Sequence, residues 1–287
     1  MAQIHIPDPT PILDHLPTKY SVLVYAPPKV GKTIFGASWA KAGDVLMIDT
    51  DEGYLSIITI ANPIIPIEWK ARIKRQVLPR AHPKNPKSPL GWKVFMDILK
   101  SLDATGTWAG VKPRTLVIDS MTTLSSMALD DVLGTTDQLH VEVTQPQWGK
   151  LRARFLKMID MAKGLPDINF VLICHELYKE DKLTKRIMRI PDVVGKLATQ
   201  IALWFDEVYR LEARPKGDTV ERFAVTQGNQ NNPAGTRFGL PKEIPPYYSS
   251  IEGKLEALQN QLAVRQAKGG QAQKQLPIKT NAVQTQT

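Results

Sequence analysis

Ser21-Val22-Leu23-Val24-Tyr25-Ala26-Pro27-Pro28-Lys29-Val30-Gly31-Lys32-Thr33-Ile34-Phe35-Gly36-Ala37-Ser38-Trp39-Ala40 is the stretch on which the fold turns. Its first five residues form a β-branched and aromatic run, the composition of a buried strand. From Ile34 to Ala40 apolar residues recur at helical spacing. The loop between ends in Gly31-Lys32-Thr33, the last three residues of the phosphate-binding pattern G-x-x-x-x-G-K-[ST]. Ala26 stands where that pattern has its first glycine.

Each residue type suits an anion. In the loop Ala26, Pro27, Pro28, Lys29, Val30, Gly31, Lys32 and Thr33, a glycine lets backbone N–H groups approach phosphate oxygens with no Cβ in the way. The helix that opens at Lys32 aims its unpaired N–H groups and positive dipole end at the same place. Lys32 would neutralise β/γ-phosphate charge, and Thr33 would offer its hydroxyl to Mg²⁺.

Working outward, Asp44 to Asp49 is a second apolar strand, followed by Thr50-Asp51-Glu52-Gly53. Acids at the carboxyl end of a parallel strand sit where α/β proteins keep their chemistry, so Asp51 or Glu52 could polarise the water that attacks a γ-phosphate. A turn capped by Asp51 accounts for the same residues equally well. Thr115-Leu116-Val117-Ile118-Asp119-Ser120 is an aliphatic strand ending in a carboxylate, the pattern that holds Mg²⁺ with a loop threonine. The metal ligands expected on this reading are Thr33 and Asp119. Ile168 to Glu176 is a further buried strand that closes on His175, placed to touch a γ-phosphate or to bond a backbone carbonyl.

Residues 62–93 are basic and proline-punctuated, with Lys70, Arg72, Lys74 and Arg75 and a single acid, Glu68. They read as an irregular insertion that either grips a nucleic-acid backbone or is solvated surface. The segment after His175 reads as a loop with Lys182, Lys185 and Arg186 and the same two alternatives. Amphipathic helices are expected over 91–102 and 193–205, further helices over 122–133 and 147–163, and antiparallel strands over 206–211 and 222–226. Arg237 lies in a late glycine-rich loop, from which it could reach a neighbouring subunit's nucleotide. Residues 1–18 form a proline-rich lead-in, 251–267 a polar-faced helix, and 268–287 a Gln/Thr-rich tail expected to be disordered or to dock a partner.

The 287 residues carry 37 Lys and Arg against 28 Asp and Glu, a formal net charge of +9, which favours a polyanionic partner. The lone cysteine, Cys174, can form no intrachain disulfide and fits a reducing cytoplasm. No apolar run reaches the roughly 20 residues of a membrane span, so no membrane role is expected.

With these motifs laid out, the chain resembles the RecA-like ATPases, and within them the phage single-strand-annealing and recombination ATPases. Four features carry the resemblance: Tyr25 to Thr33, Val117-Ile118-Asp119-Ser120, the strand ending Cys174-His175-Glu176, and Ile190-Pro191-Asp192-Val193-Val194-Gly195-Lys196 leading to Phe205-Asp206-Glu207-Val208. It implies an α/β, RecA-like P-loop core over residues 19–250: a mostly parallel sheet flanked by helices, with antiparallel strands added near the C-terminus. Asp51 or Glu52 falls where that family keeps its catalytic carboxylate, His175 at its sensor, and Arg237 where related hexameric helicases place a finger. Gly235 stands where that finger motif has a basic residue.

The resemblance implies ATP and Mg²⁺ as cofactors, single-stranded DNA as partner, assembly into a filament or ring, and a host-cytoplasmic location. A single-strand-binding protein is the expected partner of the tail. The alternatives are a replicative-helicase-like motor, a protein that holds nucleotide without hydrolysing it and, from another class, a small-molecule P-loop kinase.

Overall fold

Four strands bring their carboxyl ends to one edge of the sheet, where the phosphate-loop and carboxylate motifs of the sequence meet. The structure is a computed structural model, and it describes residues 19–59, 64–139, 141–180, 185–257 and 260. Residues 19–252 form one compact unit, and the other comprises 1–18 and 253–287. The described residues of that second unit, 253–257 and 260, are helical. The expected lead-in, the tail, and the greater part of the 251–267 helix lie outside the described residues.

In chain order the elements are β1 (Ser21–Ala26), α1 (Lys32–Ser38), β2 (Val45–Asp49), α2 (Leu55–Ile58), α3 (Ile67–Lys70), β3 (Ile73–Val77), β4 (Ala81–His82), β5 (Asn85–Pro89) and α4 (Gly91–Thr105). They continue with β6 (Thr115–Asp119), α5 (Met121–Leu133), α6 (Gln145–Gly164), β7 (Asn169–Glu180), β8 (Ile187–Pro191), β9 (Glu207–Lys216), β10 (Thr219–Val225), β11 (Gly235–Thr236) and β12 (Glu243–Ile244). The main sheet runs β12-β10-β9-β1-β7-β6-β2-β3, with β11 on β9 and β8 on β7. From β9 to β3 the neighbours are parallel, whereas β10, β11 and β12 are antiparallel. This is the expected fold class: a mostly parallel, helix-flanked sheet with antiparallel strands added at its C-terminal side.

The strands read as unbroken apolar runs because both faces of the sheet are covered. Leu23, Tyr25, Leu46, Ile48, Leu116, Ile118, Phe170 and Leu172 face the cluster built by α4, α5 and α6, which includes Phe95, Leu99, Leu124, Phe155 and Met158. Val22, Val24, Met47, Val117, Val171 and Ile173 alternate with them and are equally buried. On that second face α1 packs close, and a Cβ on Gly36 would meet Val117 and Ile173. Register then fixes the edge: Ala26 pairs with His175, Asp119 with Ile173, and Asp49 with Asp119.

Three expectations are corrected. Residues 62–93 are not simply an irregular insertion: Ile73–Val77 is a parallel edge strand on β2, and Asn85–Pro89 pairs with Ala81–His82 in a two-stranded ribbon. An edge strand pairs on one side only, so Lys74, Arg75 and Gln76 carry no penalty there, and prolines fit such ribbons. The segment after His175 is a hairpin rather than a loop, because β7 runs on to Glu180 and pairs with β8. Residues 193–205 form two short 3₁₀ turns, Gly195–Thr199 and Ile201–Trp204, instead of one α-helix. Gly195 enters at φ 76 and Gln200 at φ −113 interrupts the winding, yet Leu197, Ile201 and Phe205 still face the core.

Candidate functional site

The phosphate loop begins where β1 ends. Ala26 is the last, fully buried residue of that strand, so extended backbone, which any residue adopts, is what the position demands. The left-handed positions fall later, at Lys29 (φ 65) and Gly31 (φ 108), immediately before α1. Lys32 is buried and its Nζ donates to the carbonyls of Ala26 (3.1 Å) and Pro27 (2.8 Å). Burial lowers its pKa, and the carboxylates of Asp119 and Asp51 oppose that shift. An ammonium in this setting gains from any anion that enters the loop.

Thr33 donates its hydroxyl to Asp119 Oδ2 at 2.6 Å. Burial raises the Asp119 carboxyl to about 6, against the Thr33 bond, and the nearby Asp51 and Asp49 push the same way. A hydroxyl and a buried carboxylate in contact, with other acids close by, form an all-oxygen donor set of the kind Mg²⁺ takes. Gly53 sits against both, since a Cβ there would lie 2.8 Å from Thr33 Oγ1 and 3.4 Å from Asp119 Oδ2. The residues present therefore fit Mg²⁺, with Thr33 and Asp119 to hold it and no side chain at Gly53 to cover their oxygens.

Asp51 belongs to the same edge. Its Oδ2 accepts from Ser120 Oγ at 2.6 Å and lies 3.0 Å from His175 Nε2. Burial works against its charge, but hydrogen bonds from His175, Ser120 and Thr123 outweigh it and hold the carboxyl well below the usual range. Thr50 locks the turn, accepting from the Ser120 N–H (2.8 Å) and donating its own N–H to the Asp119 carbonyl (2.7 Å). His175 is tied to α5, because its N–H donates to Thr122 Oγ1 at 2.9 Å. Glu52, at φ 57, is exposed and makes no hydrogen bond or ion pair among the described residues.

These side chains line a cavity of about 750 Å³, within the range of small-molecule sites. Lys32, Thr33, Asp51, Asp119 and His175 all face it, and Glu52 does not. Among the lining residues that sequence reasoning missed are Arg222, Pro246 and Tyr247. Arg222 is exposed on β10, and its Cδ lies 3.5 Å from where a Cβ on Gly31 would sit. A guanidinium there has the charge and reach to meet phosphate. No spacing signal could have found these residues: Arg222 arrives on β10, which returns antiparallel beside β9, and Pro246 and Tyr247 follow β12, which pairs with β10.

Arg237 lies apart from this group. It follows β11, whose Thr236 pairs with Glu207 at the start of β9, the edge of the sheet opposite the phosphate loop. Its guanidinium bonds Asp206 at 2.9 Å.

The basic residues divide as well. Arg72 donates to the Ala40 carbonyl (3.2 Å), Lys74 to the Ala71 carbonyl (2.8 Å), and Arg75 to Asp49 (2.6 Å). Lys70 ends α3 and is half-buried. Lys185 pairs with Glu180 at 3.3 Å and Arg186 bonds Gln230, both on the β7–β8 hairpin, while Lys182 lies outside the described residues. No helix among the described residues is long and apolar enough to cross a membrane.

Comparison with known families matches residues 18–238 to the AAA domain. No curated protein matches the chain. Among solved structures, the KaiC-like protein of Pyrococcus horikoshii shares 13% identity, covering 79% of this chain and 84% of its own, with a TM-score of 0.42. The flagellar accessory protein FlaH of Methanocaldococcus jannaschii shares 14% identity over 78% and 83%, with a TM-score of 0.40.

Proposed function

This chain belongs to the AAA-domain family, and from that premise we propose that it is a cytoplasmic ATPase whose Mg²⁺-dependent turnover sets its grip on single-stranded DNA, in phage-type recombination or strand annealing. Lys29 to Thr33 bind the triphosphate, with Lys32 neutralising the β/γ charge. Thr33 and Asp119 hold Mg²⁺, which when bound supplies Lewis-acid stabilisation of the phosphate oxygens. Asp51, oriented by His175 and Ser120, takes the role of the carboxylate that positions the attacking water. Arg222 adds positive charge beside the loop.

One observation carries the DNA half of this reading. β7 is a single strand that bears His175 at the cavity and, a few residues on, the hairpin with Tyr178, Lys179, Lys185, Arg186 and Arg189. Tyr178 is 58% exposed, and the Arg189 guanidinium lies 5.6 Å over its ring. An exposed aromatic among cations suits stacked bases and a phosphate backbone. A strand rigid over that length can report a change at Asp51–His175 to the hairpin. The finger role of Arg237 requires a second copy of the chain, so assembly into a ring or filament belongs to the same proposal. The tail is proposed to dock a single-strand-binding protein.

ATP hydrolysis measured with and without single-stranded DNA tests this. Turnover that rises several-fold with single-stranded DNA and little with duplex is the expected result. Turnover indifferent to DNA, together with phosphoryl transfer to a small acceptor, would move the chain to the kinase class.

A further inference from the structure

Arg75 has the sequence character of a surface cation in a basic stretch, yet the structure ties it to a buried carboxylate. Its Nε–H donates to Asp49 Oδ2 at 2.6 Å, and Asp49 is 1% exposed. The other oxygen, Asp49 Oδ1, accepts the N–H of Gly53 at 3.2 Å. The Arg75 guanidinium carbon also lies 3.8 Å over the ring of Tyr54, the residue after Gly53. One arginine on the edge strand thus holds the far end of the 50–54 turn twice, through Asp49 and by stacking on Tyr54. The near end is held separately, by Thr50 on Ser120 and Asp119.

The consequence lies at the site. Gly53 is the residue that stands against Thr33 Oγ1 and Asp119 Oδ2, and Asp51 faces the same cavity. Arg75 itself does not line that cavity. We propose that Arg75, acting through Asp49 and Tyr54, is a positioning residue for the hydrolytic turn, fixing Asp51 and Gly53 relative to Thr33 and Asp119. β3 then has a purpose as the strand that delivers this clamp: in the β2–β3 register Arg75 pairs with Met47, two residues from Asp49. A planar guanidinium is needed, because it both donates to a carboxylate and stacks on a ring, which an ammonium does poorly. The inference rests on the ATPase reading and runs against a direct DNA role for this residue.

The test is steady-state ATPase without DNA, nucleotide affinity by titration, and oligonucleotide affinity, on the full chain and on Arg75→Ala, Arg75→Lys and Tyr54→Ala. Arg75→Ala is expected to lower kcat by on the order of ten- to a hundredfold, as sub-ångström to ångström misplacement does. ATP affinity should stay within about threefold, since the phosphate loop is untouched. Arg75→Lys should recover part of kcat, and oligonucleotide affinity measured without nucleotide should not change in any variant. Tyr54 is half-exposed, so Tyr54→Ala should fold even if Arg75→Ala does not, and it should show the same kcat-selective loss. Wild-type kcat in Tyr54→Ala and in folded Arg75→Ala would overturn the assignment alone, as would a loss shared equally by nucleotide binding. A wild-type chain with no Mg²⁺-dependent turnover would remove the ATPase reading, and this inference with it.

Discussion

Gly53 meets the Thr33 hydroxyl so closely that the smallest possible change there is informative. In Gly53→Ala the new Cβ must displace Thr33 or move the turn, because 2.8 Å is below any normal carbon–oxygen contact. Turnover should fall by about a hundredfold while the melting temperature barely moves, as the turn lies outside the core; paired kinetics and thermal melts check this.

The pH dependence follows from Asp119. Burial pushes its carboxyl up to about 6, and a cation requires the ionised form. Binding of Mg²⁺-nucleotide should therefore be flat above pH 6 and weaken by about tenfold per unit as pH falls below it, read by titration at constant ionic strength.

Of the residue-scale site, the polar residues of the motifs were legible: Lys32, Thr33 and Asp119 announce themselves by spacing. Arg222 and Tyr247 were not, because their neighbours in space are far away in the chain. Asp51 and Glu52 were indistinguishable in sequence. They separate only when the fold turns one into the cavity and leaves the other, at positive φ, in solvent.

At the scale of elements, buried strands declare themselves and edge strands do not. Val45–Asp49, Thr115–Asp119 and residues 170–174 of β7 are largely apolar because both faces are covered, whereas Ile73–Val77 reads as a charged loop because one edge and most of its side chains meet water. Basic character alone thus failed to separate the two stretches singled out for DNA. Arg72 and Arg75 bond buried groups, the Ala40 carbonyl and Asp49, whereas on the hairpin Lys185 and Arg186 bond exposed partners, Glu180 and Gln230.

Charge reversal is accordingly expected to act differently on the two elements. Lys185→Glu with Arg186→Glu should weaken single-strand binding and reduce the salt slope by about one for each phosphate that is no longer neutralised. Binding titrations at several salt concentrations would reveal this; an unchanged slope would return the hairpin to ordinary surface. The 3₁₀ turns at 195–204 show the opposite limit of legibility. The apolar spacing that marks the buried side is right there, but a single left-handed glycine changes the winding.

For the molecule as a whole, the parallel order β9-β1-β7-β6-β2-β3 converts motifs separated by tens of residues into one edge. Ala26, Asp49, Asp119 and His175 all sit at its carboxyl ends. On the proposed reading that convergence is a single electrostatic device: the ammonium of Lys32 would draw a triphosphate in, and Thr33 with Asp119 would share its metal.

Calorimetric titration of ATP, with Mg²⁺ and with the metal chelated, on wild type and Asp119→Asn tests this most directly. The account predicts tight binding by wild type that weakens by about tenfold or more without Mg²⁺, and an Asp119→Asn variant whose weaker binding no longer responds to metal. Equal affinities in all four titrations would contradict it.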